Sequence, residues 1–149
     1  MNNKVGIIIG RFQTPELTPA HTLLFHEALD NHDTVVVFVG VRDTPATDRN
    51  PLSFYMRKNI ITKQFPTVTV IPLSDCPTDE EWSKNLDRYI NTVSSMRGAV
   101  IYHGRDSFAS HYKGKYELCE VKMPEFLGIS ATRIRKEVGM TLTNHPMFY

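Results

Sequence analysis

The chain alternates short β-branched runs with longer stretches of helical period. Val5-Gly6-Ile7-Ile8-Ile9 is an unbroken apolar run, the length and composition of a strand buried on both faces. Leu23, Leu24, Ala28 and Leu29 then recur at helical spacing across residues 20–31. Residues 34–39 are almost wholly apolar and close on Gly40, which predicts a second buried strand. Residues 41–50 carry Asp43, Pro45, Asp48, Arg49 and Asn50 and read as a polar loop. Pro51 suits a first helical position, opening a helix to about Gln64. Residues 68–73 form a third strand, and Thr78-Asp79-Glu80-Glu81 reads as a capping box for a helix reaching about Ser95. Residues 99–102 and 116–121 are a fourth and fifth strand, with a short helix near residues 107–111 between them. Ser130 caps a last helix that Gly139 ends, and the tail from Thr141 to Tyr149 carries no pattern.

Repeated strand–helix–strand order predicts an α/β fold of Rossmann-like type, a five-stranded parallel sheet flanked by helices. Ligands of such sheets bind at the carboxyl ends of the strands, near the switch point of strand order. The first, second and fourth predicted strands end at Gly10, Gly40 and Gly104, where a ligand meets backbone with no Cβ in the way.

The 149 residues fit one domain, 1–149, large enough for a real core. A net charge of +1 argues against a generic polyanion binder, so no nucleic-acid partner is expected and any anion site is a local arginine cluster. No segment approaches the ~20 apolar residues of a membrane span. Cys76 and Cys119 lie far apart and form no CxxC pair. A disulfide is open to them, but a reduced, cytoplasmic protein is the preferred reading. The N-terminus, which runs straight into a strand without a cleavage site, agrees with it.

Two segments carry the chemistry. Gly10-Arg11-Phe12-Gln13 is a glycine turn with an arginine at the end of the first strand. Ile129-Ser130-Ala131-Thr132-Arg133-Ile134-Arg135 is a helix start with two hydroxyls and two guanidinium groups. Free backbone N–H groups backed by arginine hold phosphate in both settings, and two such sites in one small domain point to a nucleotide. Arg133 and Arg135 lie about 200° apart on a helix, so one of them at most faces the site. His21 and His26 are not spaced as a metal pair and no zinc pattern occurs, so no protein metal site is expected.

In order along the chain, these elements resemble the nicotinamide mononucleotide adenylyltransferases, of the archaeal and phage or bacterial bifunctional type, within the HxGH nucleotidyltransferase superfamily. The resemblance covers nearly the whole chain. Gly10-Arg11-Phe12-Gln13 matches the family's GRFQ turn, and Gln13-Thr14-Pro15-Glu16-Leu17 matches a longer form of the stretch that follows. The HxGH motif falls on Thr18-Pro19-Ala20-His21, of which only the final histidine is kept. Arg49-Asn50-Pro51-Leu52-Ser53 with Arg57 is similar to the loop after the second strand, and Asp79-Glu80-Glu81-Trp82 to the acidic-Trp segment after the third. Gly104-Arg105-Asp106 sits at the family's turn after the fourth strand, and Ser130-Ala131-Thr132-x-x-Arg135 matches the closing ISxTxxR motif. No Nudix-type acidic box occurs, so the hydrolase half of the bifunctional relatives is not expected.

The resemblance implies transfer of AMP from ATP to nicotinamide mononucleotide, giving NAD and pyrophosphate in NAD synthesis or salvage. It implies Mg2+ carried by the triphosphate. It leaves a homo-oligomer open. Chemistry of this kind rests on alignment and neutralisation of growing charge rather than on a covalent nucleophile. The implied catalytic set is His21, Thr18 and Arg11, with His21 bonding the α-phosphate. The implied nucleotide-binding set is Gly10, Arg11, Phe12, Gln13, Gly104, Arg105, Asp106, Ser130, Thr132 and Arg135. Arg49 and Trp82 would hold the acceptor, Trp82 by stacking on a pyridinium ring.

Plainer readings stand beside each of these. His21 is also a satisfied polar residue at a helix start, Ser130 an ordinary N-cap and Trp82 a core tryptophan, while Arg57 is a phosphate contact or an ion pair. Threonine cannot carry imidazolium's charge, Pro19 removes a donor and Ala20 adds a Cβ, departures that bear on catalysis more than on nucleotide binding. Two rival functions follow: transfer to a different phosphorylated acceptor, and nucleotide binding without turnover.

Overall fold

A computed structural model describes residues 3–42, 52–105 and 107–122. The elements run β1 (Val5–Gly10), α1 (Pro19–Asn31), β2 (Val35–Val41), α2 (Phe54–Gln64), β3 (Thr69–Ser74), α3 (Asp79–Ser94), β4 (Ala99–His103), a 3₁₀ turn (Phe108–His111) and β5 (Glu117–Glu120). All five strands are parallel, in the order β3-β2-β1-β4-β5. The predicted α/β fold and its five-stranded parallel sheet are therefore present. Strand order reverses between β1 and β4, which places the switch point at Gly10 and His103.

The apolar runs become the central strands because both faces of the sheet are covered. Ile8, Val35, Val37, Val39 and Val100 meet Leu24, Phe25 and Ala28 of α1 and Ile61 of α2. Ile7, Ile9, Val36, Phe38 and Ile101 meet Leu86 and Ile90 of α3 on the opposite face. Each such side chain contributes about 1.5–3 kcal/mol by leaving water.

One helix starts later than its sequence predicts. Ser53, not Pro51, opens α2: its hydroxyl accepts from the Met56 N–H at 3.2 Å, and Phe54 is the first helical residue. Thr78 caps α3 through the Glu81 N–H at 3.1 Å. The strands are shifted by a residue or two from their expected ends.

At the carboxyl end of α1, His32 packs over β1, its ring 2.9 Å from where a Gly6 Cβ would sit. Its Nδ1 donates to the Lys4 carbonyl at 2.7 Å, so its Nε2 accepts from the Tyr102 hydroxyl, also at 2.7 Å. Across the sheet, α3 holds the chain between β4 and β5. Ser83 Oγ accepts from the Lys113 N–H at 2.7 Å, and Asp87 accepts from both the Tyr112 hydroxyl and the Lys115 N–H. β3, which carries Pro72, and the four-residue β5 are the two edges. Cys76 and Cys119 are free thiols. Among the described residues no helix is long and apolar enough to cross a membrane.

Candidate functional site

The chain leaves β1 through a turn that no bulky residue adopts cheaply. Phe12 has φ +51°, in the left-handed region, although its side chain is buried. Such a residue costs about 1–2 kcal/mol, which surrounding packing must offset. Its ring does so against His21, 4.9 Å away, and Phe25, 5.9 Å away. The side chains beside it turn inward too. Gln13 donates to the Leu52 carbonyl at 3.2 Å and accepts from the Leu52 N–H at 2.7 Å, which fastens the chain ahead of α2.

The helix α1 begins directly opposite this turn. Thr18 is its N-cap and Pro19 its first residue, where proline's missing N–H is no loss. Thr18 Oγ1 accepts from the His21 N–H at 3.1 Å, and His21 Nδ1 accepts from the Thr18 N–H at 3.2 Å. This is a capping box in which histidine takes the place of the usual Glu or Gln. Because Nδ1 accepts, the ring proton sits on Nε2, and a neutral His21 is a fixed N–H donor.

A cationic cluster lies at the ends of β1, β2 and β3. Arg11 Nη2 donates to Asp75 Oδ1 at 2.7 Å, and Arg42 Nε donates to Asp75 Oδ2 at 2.7 Å. The Arg11 side chain is only 3% exposed, and its Nε is buried without a hydrogen-bond partner among the described residues. Arg57 reaches the Arg11 carbonyl at 2.9 Å, the Gly40 carbonyl at 2.6 Å and the Ser53 carbonyl at 3.2 Å. Burial, and then the neighbouring Arg11 charge, push its pKa down to about 10, so it stays charged at neutral pH. Arg57 is thus buried rather than an exposed phosphate contact, and among the described residues it makes no ion pair; it ties β1, β2 and α2 together through their carbonyls.

At the end of β4, His103 and Trp82 both lie edge-on to Phe108, at 6.1 and 5.9 Å. Trp82 is half-buried, on the first turn of α3, and Arg105 is exposed just past Gly104.

The structure therefore brings Gly10, Arg11, Phe12, Gln13, Thr18 and His21 together at one strand end, with Gly104 and Arg105 following the neighbouring strand and Trp82 on the α3 face. Arg49, Asp106, Ser130, Thr132 and Arg135, together with Pro51, the last helix and the tail, lie outside the described residues. Asp75 and Arg42 are not singled out by sequence, although Asp75 lies two residues past a predicted strand and directly follows β3, where site residues of this fold collect. No group of three His, Cys, Asp or Glu side chains that could hold a metal occurs among the described residues. Asp75 is already engaged by two arginines.

The fold recurs in solved structures. A bifunctional NMN adenylyltransferase/ADP-ribose pyrophosphatase from Francisella tularensis superposes with a TM-score of 0.76 at 22% identity, over 90% of this chain and 41% of that one. Its complex with AMP and a manganese ion gives 0.75 at 22% identity, over 97% and 46%. NadR protein in complex with NAD and AMP-PNP gives 0.63 at 20% identity, over 89% and 42%. The fold is that of the NMN adenylyltransferases. The chain spans less than half the length of these adenylyltransferase-fold proteins. No protein-family model matches it, and no curated protein sequence matches it significantly.

Proposed function

We propose that the chain is a nucleotidyltransferase that moves AMP from ATP to nicotinamide mononucleotide, releasing pyrophosphate and forming NAD. The observation that carries this reading is the meeting of the strained Gly10–Phe12 turn with the N-terminus of α1, where His21 is held as an Nε2–H donor. In the proposed reaction the mononucleotide's 5′-phosphate oxygen attacks the α-phosphorus of ATP, and the bond to the β-phosphate bridging oxygen breaks. The His21 N–H and the dipole of α1 stabilise the negative charge that grows on the α-phosphate oxygens. Gly10 lets the phosphates approach the backbone, and the cationic cluster of Arg11, Arg42 and Arg57 raises the local potential.

Arg49 and Trp82 are assigned to the mononucleotide. Gly104, Arg105, Asp106, Ser130, Thr132 and Arg135 are assigned to ATP. The described carboxylates do not fit a protein-held cation, so Mg2+ is read as part of the ATP complex, neutralising its triphosphate. A cytoplasmic protein acting in NAD synthesis or salvage completes the reading.

One observation favours the rival, nucleotide binding without turnover: Arg11 is buried against Asp75 rather than presented to a ligand. Pyrophosphate release from ATP and Mg2+, measured with and without nicotinamide mononucleotide, separates the two. Release that needs the mononucleotide, yields NAD and falls by about 10²-fold or more in His21→Ala supports the enzyme. ATP binding without release selects the rival.

A further inference from the structure

His103 is the last residue of β4 and is 8% exposed, yet one of its ring nitrogens has no hydrogen-bond partner among the described residues. Its Nδ1 lies 3.0 Å from the Gly104 carbonyl oxygen and 3.3 Å from Ser107 Oγ, which itself accepts from the Ala109 N–H at 3.2 Å. A carbonyl oxygen can only accept, so Nδ1 carries the ring proton and Nε2 keeps its lone pair. Among the described residues nothing donates to that Nε2. Nε2 is not one of the fully buried unpartnered atoms, so it is reached from outside the fold, and an open acceptor at the carboxyl end of a switch-point strand is placed for a ligand.

The surroundings define the ligand's chemistry. Phe108 stands edge-on to both His103 and Trp82, so an apolar aromatic wall and one hydrogen-bond acceptor lie on the same side of the sheet. That combination suits a flat ring bearing an N–H donor. We propose that His103 Nε2 accepts from the amide NH2 of the mononucleotide's pyridine carboxamide, and so selects it over the corresponding pyridine carboxylate. A carboxylate has no proton to give, and its oxygens would face the imidazole lone pair. A site that hydrogen-bonds one substituent and sets its lone pair against the other discriminates strongly for the small chemical difference involved. The inference rests on the proposed acceptor and adds the residue that reads its substituent.

The test uses Trp82, the single tryptophan of the chain, as an intrinsic fluorescence reporter. Wild-type protein and the variants His103→Phe, His103→Asn and His103→Gln are titrated with nicotinamide mononucleotide, nicotinic acid mononucleotide and AMP, with thermal melts as a folding control. The wild type binds the amide about tenfold more tightly than the acid, or better. Both His103→Phe and His103→Asn, which lack an acceptor at the Nε2 position, lose that ratio. His103→Gln, whose longer amide carries a carbonyl to that position, recovers part of it. A merely structural role would weaken both mononucleotides alike.

The inference is overturned if the ratio survives in whichever deletion variant folds. It is also overturned if neither mononucleotide perturbs Trp82, or if AMP is the ligand whose binding depends on His103. NAD formation with an unmoved ratio removes this inference alone. Amide-selective binding without NAD formation removes the proposed reaction and leaves His103 its role.

Discussion

Arg11 reaches Asp75 by crossing the end of the strand that separates them. Its guanidinium carbon passes 3.7 Å from the point a Gly40 Cβ would occupy, and its Nη2 then donates to Asp75 Oδ1 at 2.7 Å. β1 and β3 are thereby linked over β2, with Arg42 holding the other carboxylate oxygen. Among the described residues, Asp75 is the single carboxylate shared by two guanidinium groups in a cluster of three arginines.

Asp75→Asn keeps the shape and removes the charge, leaving the buried Arg11 without its counter-ion. Stability should fall by about 1–2 kcal/mol, less than for a fully buried pair because Asp75 is partly exposed. Urea denaturation at neutral pH reads this directly. An unchanged midpoint would mean that Arg11 is held by its packing alone.

Thr18 holds His21 as much as it caps the helix. Thr18→Ala removes the acceptor for the His21 N–H and should cost about 1 kcal/mol. It should also slow pyrophosphate release, because the backbone of His21 loses its anchor on the Thr18 hydroxyl and the imidazole is then positioned only by the bond from the residue 18 N–H to its Nδ1. Thr18→Ser keeps the hydroxyl and should keep both stability and rate. Equal losses in the two variants would rule out the cap as the cause.

Tyr102 gives the fold an alkaline limit. Burial first, then the nearby Cys119, Glu27 and Glu117, push its pKa up to about 12 from an ordinary 10.0. The unfolded chain therefore releases this proton first. The stability due to neutral Tyr102 is whole below about pH 10 and is lost as pH rises toward about 12. Arg57 works in the opposite sense, its folded pKa of about 10 lying below arginine's ordinary value, so stability from that group recovers over the same range. Tyr102→Phe isolates the tyrosine. It should lower stability at neutral pH by about 1–2 kcal/mol, because His32 Nε2 loses its donor. It should also flatten the decline that wild type shows between about pH 9 and pH 11. Denaturant midpoints of the two proteins across that range make the comparison.

The sheet was legible because its signal is local. Residues 5–9 and 34–39 are apolar without interruption, and only a strand covered on both faces tolerates that. The start of α2 was not, because Pro51 and Ser53 are both good openings and the choice depends on where the preceding chain is fastened, here by Gln13 on Leu52. Long-range polar work was the least visible. Arg11 and Asp75 are 64 residues apart, and Arg57 serves carbonyls from three segments. Thr18 reads as a weakened phosphate ligand when compared with histidine. Its pairing with His21 stays hidden because capping boxes are sought with Glu or Gln at the third helical position.

The two borders of the sheet bear on how copies of this chain can meet. β3 has Pro72, which offers no N–H, opposite Val39 on its one neighbour. β5 is only four residues long and begins and ends on glutamate. A second copy approaching either border finds a missing donor on one side and repelling carboxylates on the other. Among the described residues, both borders of the sheet disfavour pairing with a second copy and leave helix faces and loops as the surfaces through which copies can meet.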